Sequence, residues 1–203
     1  MFNPSLIAPS SQEALPEGYV LRPLLPTDYA KGVLECLGEL AEVGQVKEET
    51  FLEQYHAMKE SGTYYVHVIE DTNRARIVAS ATLLIERKFL RGCSKAGHIE
   101  DVVVSASERG KRLGVLLITQ LRHAAQSLGC YKLILNCAEK NIGFYEKCGL
   151  SLQDVQMKLY LTPSTSSSPS SSEKRREEGL INIPGGIAST SVTSLPTSQP
   201  QRS

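Results

Sequence analysis

Residues 98–121 read HIEDVVVSASERGKRLGVLLITQL. A β-branched apolar run, His98–Ser105, passes through a basic turn, Arg109-Gly110-Lys111-Arg112-Leu113-Gly114. The turn leads straight into an apolar helix predicted over Arg112–Leu128 and stopped by Gly129. A strand that enters a helix through such a turn leaves backbone N–H groups free at the helix start, which makes an anion site. Gly110 and Gly114 let the backbone approach a ligand closely. Arg109, Lys111 and Arg112 add positive charge, which suits a pyrophosphate. From charge and glycine alone, a solvated basic turn capping a helix explains the segment equally well. The dinucleotide pattern GxGxxG and the P-loop pattern GxxxxGK(S/T) are both absent.

Working outward, the flanking segments alternate between strand and helix periodicity. Upstream, YVLRP (19–23) reads as a short strand, and Pro26-Thr27-Asp28 opens a helix through about Glu42. A second helix runs from Lys47 to Lys59, and TYYVHVIED (63–71) and ARIVASATLLIERKFL (75–90) read as strands. Downstream, CYKLILNCA (130–138) reads as a buried strand. Asn141–Lys147 reads as a short helix stopped by Gly149, and LSLQDVQMKLYL (150–161) as a last strand. The order βαα, three strands, then α, β, α, β predicts an α/β fold. Its front half is antiparallel and a βαβ crossover closes the back.

The 203 residues carry 22 Lys plus Arg against 22 Asp plus Glu, a net charge of zero. That gives no global attraction to nucleic acid or to an acidic membrane. Five scattered cysteines without a CxxC pair predict reduced thiols in a cytoplasmic protein. No apolar run approaches the roughly 20 residues of a bilayer span, and the first residues have no signal-peptide pattern. His56, His67, His98 and His123 lack ligand spacing, so no metal is expected. Three regions are expected: a flexible N-terminal arm over 1–17, a catalytic domain over 18–161, and a Ser/Thr/Pro-rich disordered tail over 162–203. Within the tail, EKRREEG is too short to stand as a helix alone.

The basic turn resembles the pyrophosphate loop of the GCN5-related N-acetyltransferase (GNAT) superfamily, whose pattern is (Q/R)xxGx(G/A). Arg109 fills the first position and Gly114 the last, while Arg112 replaces the middle glycine. LLIERKFL, GHIEDVVV, GCYKLILNC and EKNIGFYEKCGL extend the likeness, in order, to the branch of that superfamily that acetylates an amino-sugar phosphate. The resemblance covers about residues 18–158 and none of the tail.

It implies a GNAT fold, a mixed central sheet flanked by helices, with acetyl-CoA lying between two splayed parallel strands, here HIEDVVVS and YKLILNC. It implies a β-bulge in the first of these, with Val102, Val103 and Val104 acting through their backbone amides on the pantetheine and the thioester carbonyl. As side chains the three valines read equally well as core. Arg109–Gly114 would hold the pyrophosphate, with Asn136 and Asn141 as further cofactor contacts; read alone, Asn141 is a helix N-cap. Tyr145 would face the CoA sulfur as acid or hydrogen-bond donor; read alone, it is an aromatic packed on a short helix.

The implied acceptor is glucosamine 6-phosphate. Glu100 and Asp101 would sit at the amine site; strict strand alternation puts their side chains on opposite faces. The segment Lys88-Phe89-Leu90-Arg91, with Tyr131, Lys132 and Lys158, would bind the sugar phosphate. The chain departs from the pattern at Ala41, Arg91, Asn136 and Tyr160, where a threonine, a histidine, an acidic residue and an arginine are expected. Lys158 shares the predicted strand face of Tyr160 and would take over that arginine's part. A homodimer is also implied, packed through the last strand, where Val155, Met157 and Leu159 alternate. Two other readings stay open: a GNAT enzyme acting on a protein or another amine, and a non-catalytic acyl-CoA-binding module.

Overall fold

Five strands join in sequence order, β1-β2-β3-β4-β5, into one sheet: β1 Tyr19–Pro23, β2 Tyr64–Asp71, β3 Arg76–Arg87, β4 Lys95–Val104 and β5 Cys130–Ile134. The computed structural model describes residues 1–161; the predicted tail, with its EKRREEG segment, lies outside the described residues. β1 to β4 pair antiparallel, and β5 returns parallel to β4. The mixed sheet expected from the alternation of elements is therefore present. The helices are α1 Pro9–Glu13, α2 Val33–Gly38, α3 Glu48–Ser61, a single turn α4 Leu90–Cys93, α5 Leu113–Ser127 and α6 Ile142–Lys147. Among the described residues, no helix is long and apolar enough to cross a membrane.

The core has two clusters. Leu113, Leu117, Leu121 and Ala124 stand at helical spacing on α5 and bury against Ala81, Leu83, Ile85 and Ile99 of the sheet. Val66, Val68 and Ile77 take the alternate strand positions and pack with Val33, Phe51 and Tyr55 of α2 and α3. An ion-pair group joins the two halves of this second layer. Arg22 bridges Asp28 at 2.7 Å and Glu70 at 2.6 Å, and Lys31 reaches Glu70 at 2.6 Å.

Four expectations need correction. The helix expected over Pro26–Glu42 is a 3-10 turn, Pro26–Tyr29, followed by α2. It breaks because Gly32 takes a left-handed φ of 76° and the Lys31 carbonyl accepts the N–H of Ile77 in β3. The arm expected to be loose over 1–17 instead packs on the domain. The fully buried Gln120 of α5 accepts the Ala8 N–H at 2.9 Å and donates to the Leu6 carbonyl at 2.7 Å. Gln12 accepts the Leu21 N–H and donates to the Tyr19 carbonyl, satisfying the free edge of β1.

The strand expected over 130–138 ends at Ile134, and Tyr131, Lys132 and Ile134 are exposed rather than buried. The last strand expected over 150–161 is absent, and residues 151–161 are exposed with no ladder partner among the described residues. These two corrections have one cause, because among the described residues nothing after Gly149 pairs with the outer edge of β5. By compactness the chain divides into Met1–Gln156 and Met157–Ser203.

Candidate active site

β4 is not a regular strand. Ser80 of β3 pairs with Val103, and Thr82 pairs with Glu100, so Asp101 and Val102 together stand opposite Ala81 alone. This is a β-bulge, and Asp101 absorbs it with a left-handed φ of 53°. The extra residue shifts the alternation by one. Ile99 faces the α5 side, and beyond the bulge Val102 and Val104 pack on that same cluster. Glu100 and Asp101 flank the bulge and both are exposed.

The bulge lies where β4 loses its neighbour. The parallel ladder with β5 covers only Lys95–His98 against Cys130–Ile134. β4 continues six residues further to Val104, while the chain after Ile134 turns away into a 3-10 turn, Glu139–Asn141, and α6. The two strands thus form a fork whose β4 arm offers unpaired backbone groups beside the bulge. An extended amide-bearing ligand can pair with such an edge.

At the open end of the fork, β4 runs through Ser105 and a 3-10 turn, Ala106–Glu108, into the basic loop and α5. Ser105 N–H bonds to the Val78 carbonyl at 2.9 Å, and Ala106 N–H bonds to Glu39 Oε2 at 2.7 Å, so the start of the loop is anchored. Gly110 and Arg112 both take left-handed φ values, 85° and 62°. The first-turn N–H groups of α5, beginning at Leu113, have no intrahelical partner and carry the positive end of the helix dipole. Arg109 and Arg112 are exposed and make no ion pair among the described residues.

Lys111 already has partners within the protein. Its Nζ lies 2.6 Å from Glu108 Oε2 and 2.7 Å from Tyr19 OH, so its charge is paired with a buried carboxylate while the lysine itself stays exposed.

α6 closes on this loop. A β-carbon on Gly114 would lie 3.2 Å from Phe144 Cζ, so the glycine permits close approach of the two helices. Phe144 stacks edge-on with Tyr145 at 5.0 Å. Tyr145 is half-buried and packs with the cluster that holds Val102 and Val104. Burial raises its phenol pKa above 10.0, and the neighbouring Cys137 and Cys148 raise it further, so the ring keeps its proton at neutral pH. Asn141 occupies the N-cap position of α6, but its side chain makes no capping bond and has no hydrogen-bond partner among the described residues.

The cationic candidates gather at the opposite end of β4. Arg91, Gly92 and Cys93 all have left-handed φ, 53°, 66° and 59°, and this turn throws Phe89 out to 96% exposure with Leu90 beside it. Arg91 lies 5.0 Å from the centre of the Tyr131 ring, and Lys132 Nζ lies 5.7 Å from it. Lys88 is paired with Glu86 at 2.5 Å, and Glu86 also takes His98 Nε2 at 2.8 Å. Lys158 falls in the second compact unit, in a stretch that is not a strand, with its Nζ 5.5 Å from the centre of the Tyr160 ring.

A cavity of about 900 Å³ lies beside β5, lined by α5, β5, α6 and residues 149–156. It shares Tyr131, Lys132, Asn136 and Tyr145 with the expected site but not the bulge or the basic loop. It runs along β5 and the chain that follows it as far as Tyr145.

Reading the sequence missed Glu108, Tyr19 and Phe144. The i, i+3 spacing of Glu108 and Lys111 was a usable signal. No sequence pattern links Tyr19 to residue 108.

Residues 32–150 match the model of the acetyltransferase (GNAT) family. A curated glucosamine 6-phosphate N-acetyltransferase of Dictyostelium discoideum is 44% identical over 146 residues, covering 71% of this chain and 92% of that one. Its counterpart in Candida albicans is 44% identical over 144 residues, covering 70% and 96%. The crystal structure of glucosamine-6-phosphate N-acetyltransferase from Arabidopsis thaliana superposes with a TM-score of 0.70 at 42% identity, covering 72% of this chain and 100% of that one.

Proposed function

The chain belongs to the GNAT family of acetyltransferases, and on that premise we propose that it transfers the acetyl group of acetyl-CoA to the amine of glucosamine 6-phosphate. The products are N-acetylglucosamine 6-phosphate and CoA, a step toward UDP-N-acetylglucosamine in the cytoplasm. The observation that carries the reading is the bulge at Asp101 and Val102, set on the unpaired arm of the fork near Tyr145. The likeness to amino-sugar-phosphate acetyltransferases supports the acceptor.

The residues present suit acetyl-CoA. The free edge of β4 offers amides for the pantetheine. Arg109, Arg112 and the first turn of α5 offer cations and N–H groups for the pyrophosphate, and Gly114 keeps that approach open. When bound, acetyl-CoA supplies the activated acyl group. The amine attacks the thioester carbonyl, and the backbone N–H groups at Val102–Val104 stabilise the oxyanion with little reorganisation. The C–S bond breaks, and Tyr145 donates its phenolic proton to the departing sulfur. The proton lost from nitrogen passes through water to the Tyr145 phenolate and restores the phenol, with Glu100 and Asp101 exposed at the bulge to orient the amine. Arg91 and Lys132 about Tyr131 make the phosphate end of the site.

A homodimer fits the same reading, since β5 and the following Leu152 and Val155 leave apolar surface uncovered. The test is a thiol-release assay of the full chain with glucosamine 6-phosphate beside a peptide amine and a lysine amine. Turnover of the sugar phosphate alone is expected. Faster turnover of a peptide would move the enzyme to another acceptor class, and CoA binding without thiol release on any amine would make it a binding module.

A further inference from the structure

The basic loop does not rely on its own residues for its shape. Glu108 closes the 3-10 turn just before Arg109 and is 2% exposed. Its Oε2 accepts Tyr19 OH at 2.6 Å and Lys111 Nζ at 2.6 Å, and its Oε1 accepts the Arg74 guanidinium. Arg74 is held in turn by Asp71 at 2.5 Å. Tyr19 opens β1 and Arg74 lies in the β2–β3 turn, so one carboxylate joins three distant parts of the chain.

We propose that Glu108 is a positioning residue for acetyl-CoA, a clasp that fixes the curvature of Arg109–Gly114 before the pyrophosphate arrives. The proposal rests on the acetyl-CoA reading above. The Glu108–Lys111 pair spans Arg109 and Gly110 and draws Lys111 inward. The two remaining cations, Arg109 and Arg112, are left exposed on the loop. A loop ordered in advance loses less entropy on binding, so the clasp acts on affinity for the nucleotide end of the donor and not on the acyl transfer itself. The clasp also has a cost for anion binding, since it neutralises Lys111 and sets a carboxylate near the phosphate site. The two effects predict opposite signs when the carboxylate is removed. Lys111 and Arg74 are 42% and 49% exposed, so both can be solvated when the carboxylate is gone. Glu108→Gln therefore tests loop order without stranding buried charges.

The experiment compares wild type, Glu108→Gln and Tyr19→Phe as full chains, with glucosamine 6-phosphate as acceptor and two acetyl donors. One donor is acetyl-CoA; the other is S-acetyl-pantetheine, which lacks the pyrophosphate and nucleotide. The expected result for Glu108→Gln is a KM for acetyl-CoA raised about 5–20-fold, with kcat within about twofold. Its kcat/KM for S-acetyl-pantetheine should be unchanged. Tyr19→Phe, which removes one donor of the clasp, should shift the same ratio in the same direction by less. An unchanged or lowered KM for acetyl-CoA overturns the proposal, and so does an equal loss with both donors, which marks a general structural role. Should Glu108→Gln fail to fold, Tyr19→Phe decides alone, and no donor-dependent rise overturns the proposal. Calorimetric titration of wild type with acetyl-CoA separates the two readings. Absent binding there overturns the function and the clasp together, whereas wild-type binding with unaltered variants overturns only the clasp.

Discussion

Gly97 of β4 and Leu133 of β5 face each other across the parallel ladder with no room for a β-carbon between them. A β-carbon on Gly97 would lie 2.7 Å from Leu133 Cδ2 and 2.9 Å from Leu83 Cδ1. The pair lies one register short of His98 and Ile134, where the ladder ends. Close packing at the base therefore sets where the fork opens.

Gly97→Ala should destabilise the protein by about 1–3 kcal/mol, because both contacting side chains belong to the filled core. The melting temperature should fall by roughly 2–4 °C for each kcal/mol. An unchanged melting temperature would show that the base of the fork yields easily.

Tyr145→Phe keeps the ring packed on Phe144 and removes only the phenolic hydroxyl, the proton donor of the proposed mechanism. Turnover should fall by about 10²-fold or more with the KM for acetyl-CoA nearly unchanged. Because the phenol titrates above 10.0, the proton donor stays loaded across neutral pH, and the wild-type rate should show no basic decline from this group below that value. A basic limb between pH 7 and 9 that vanishes in Tyr145→Phe would contradict the assignment.

Arg112 pairs a cost with a benefit. Its left-handed φ of 62° is one that glycine takes without strain and that any residue with a β-carbon resists. Arg112→Gly should leave stability equal or up to about 1 kcal/mol higher. It should also raise the KM for acetyl-CoA several-fold, as one exposed cation leaves the anion site. Chemical denaturation and steady-state kinetics on the same variant read the two effects separately.

Acid should weaken the fold in two stages. His67 is buried with its Nε2 unpaired, and burial lowers its pKa from 6.5 to about 4 despite a bond to the Tyr65 carbonyl. The unfolded chain therefore binds more protons between those values, and stability is lost as pH falls from 6.5 toward 4. The full amount is about 3 kcal/mol. Glu108 follows. Burial alone would raise its pKa, but Lys111, Tyr19 and Arg74 bond the carboxylate and hold it at about 2 against 4.5. Its contribution is complete above pH 4.5 and is lost as pH falls toward 2. Urea unfolding at a series of pH values should show the upper stage disappear in His67→Phe and the lower stage diminish in Glu108→Gln.

The order of strands and helices was legible because periodicity is a local property: β-branched runs, the apolar stripe of α5 and the Gly129 stop lie within a few residues of one another. The bulge, however, depends on which residues of β3 stand opposite Glu100 and Val103, and that register belongs to the pair of strands. The same holds for the missing last strand. Residues 150–161 alternate in sequence, but alternation makes a strand only when the segment docks on an edge, and they pair with none of the described strands although the outer edge of β5 is open.

By itself the sequence determined the mixed α/β order, the basic loop between strand and helix, and the family to which the chain belongs, because each rests on residues adjacent along the chain. Tertiary structure alone decided which cations remain available. Arg109, Lys111 and Arg112 are alike as letters, yet Lys111 is claimed by Glu108 and by Tyr19, 92 residues away. Charge neutralisation needs contact at hydrogen-bond distance, and that contact exists only once β1 lies beside the loop.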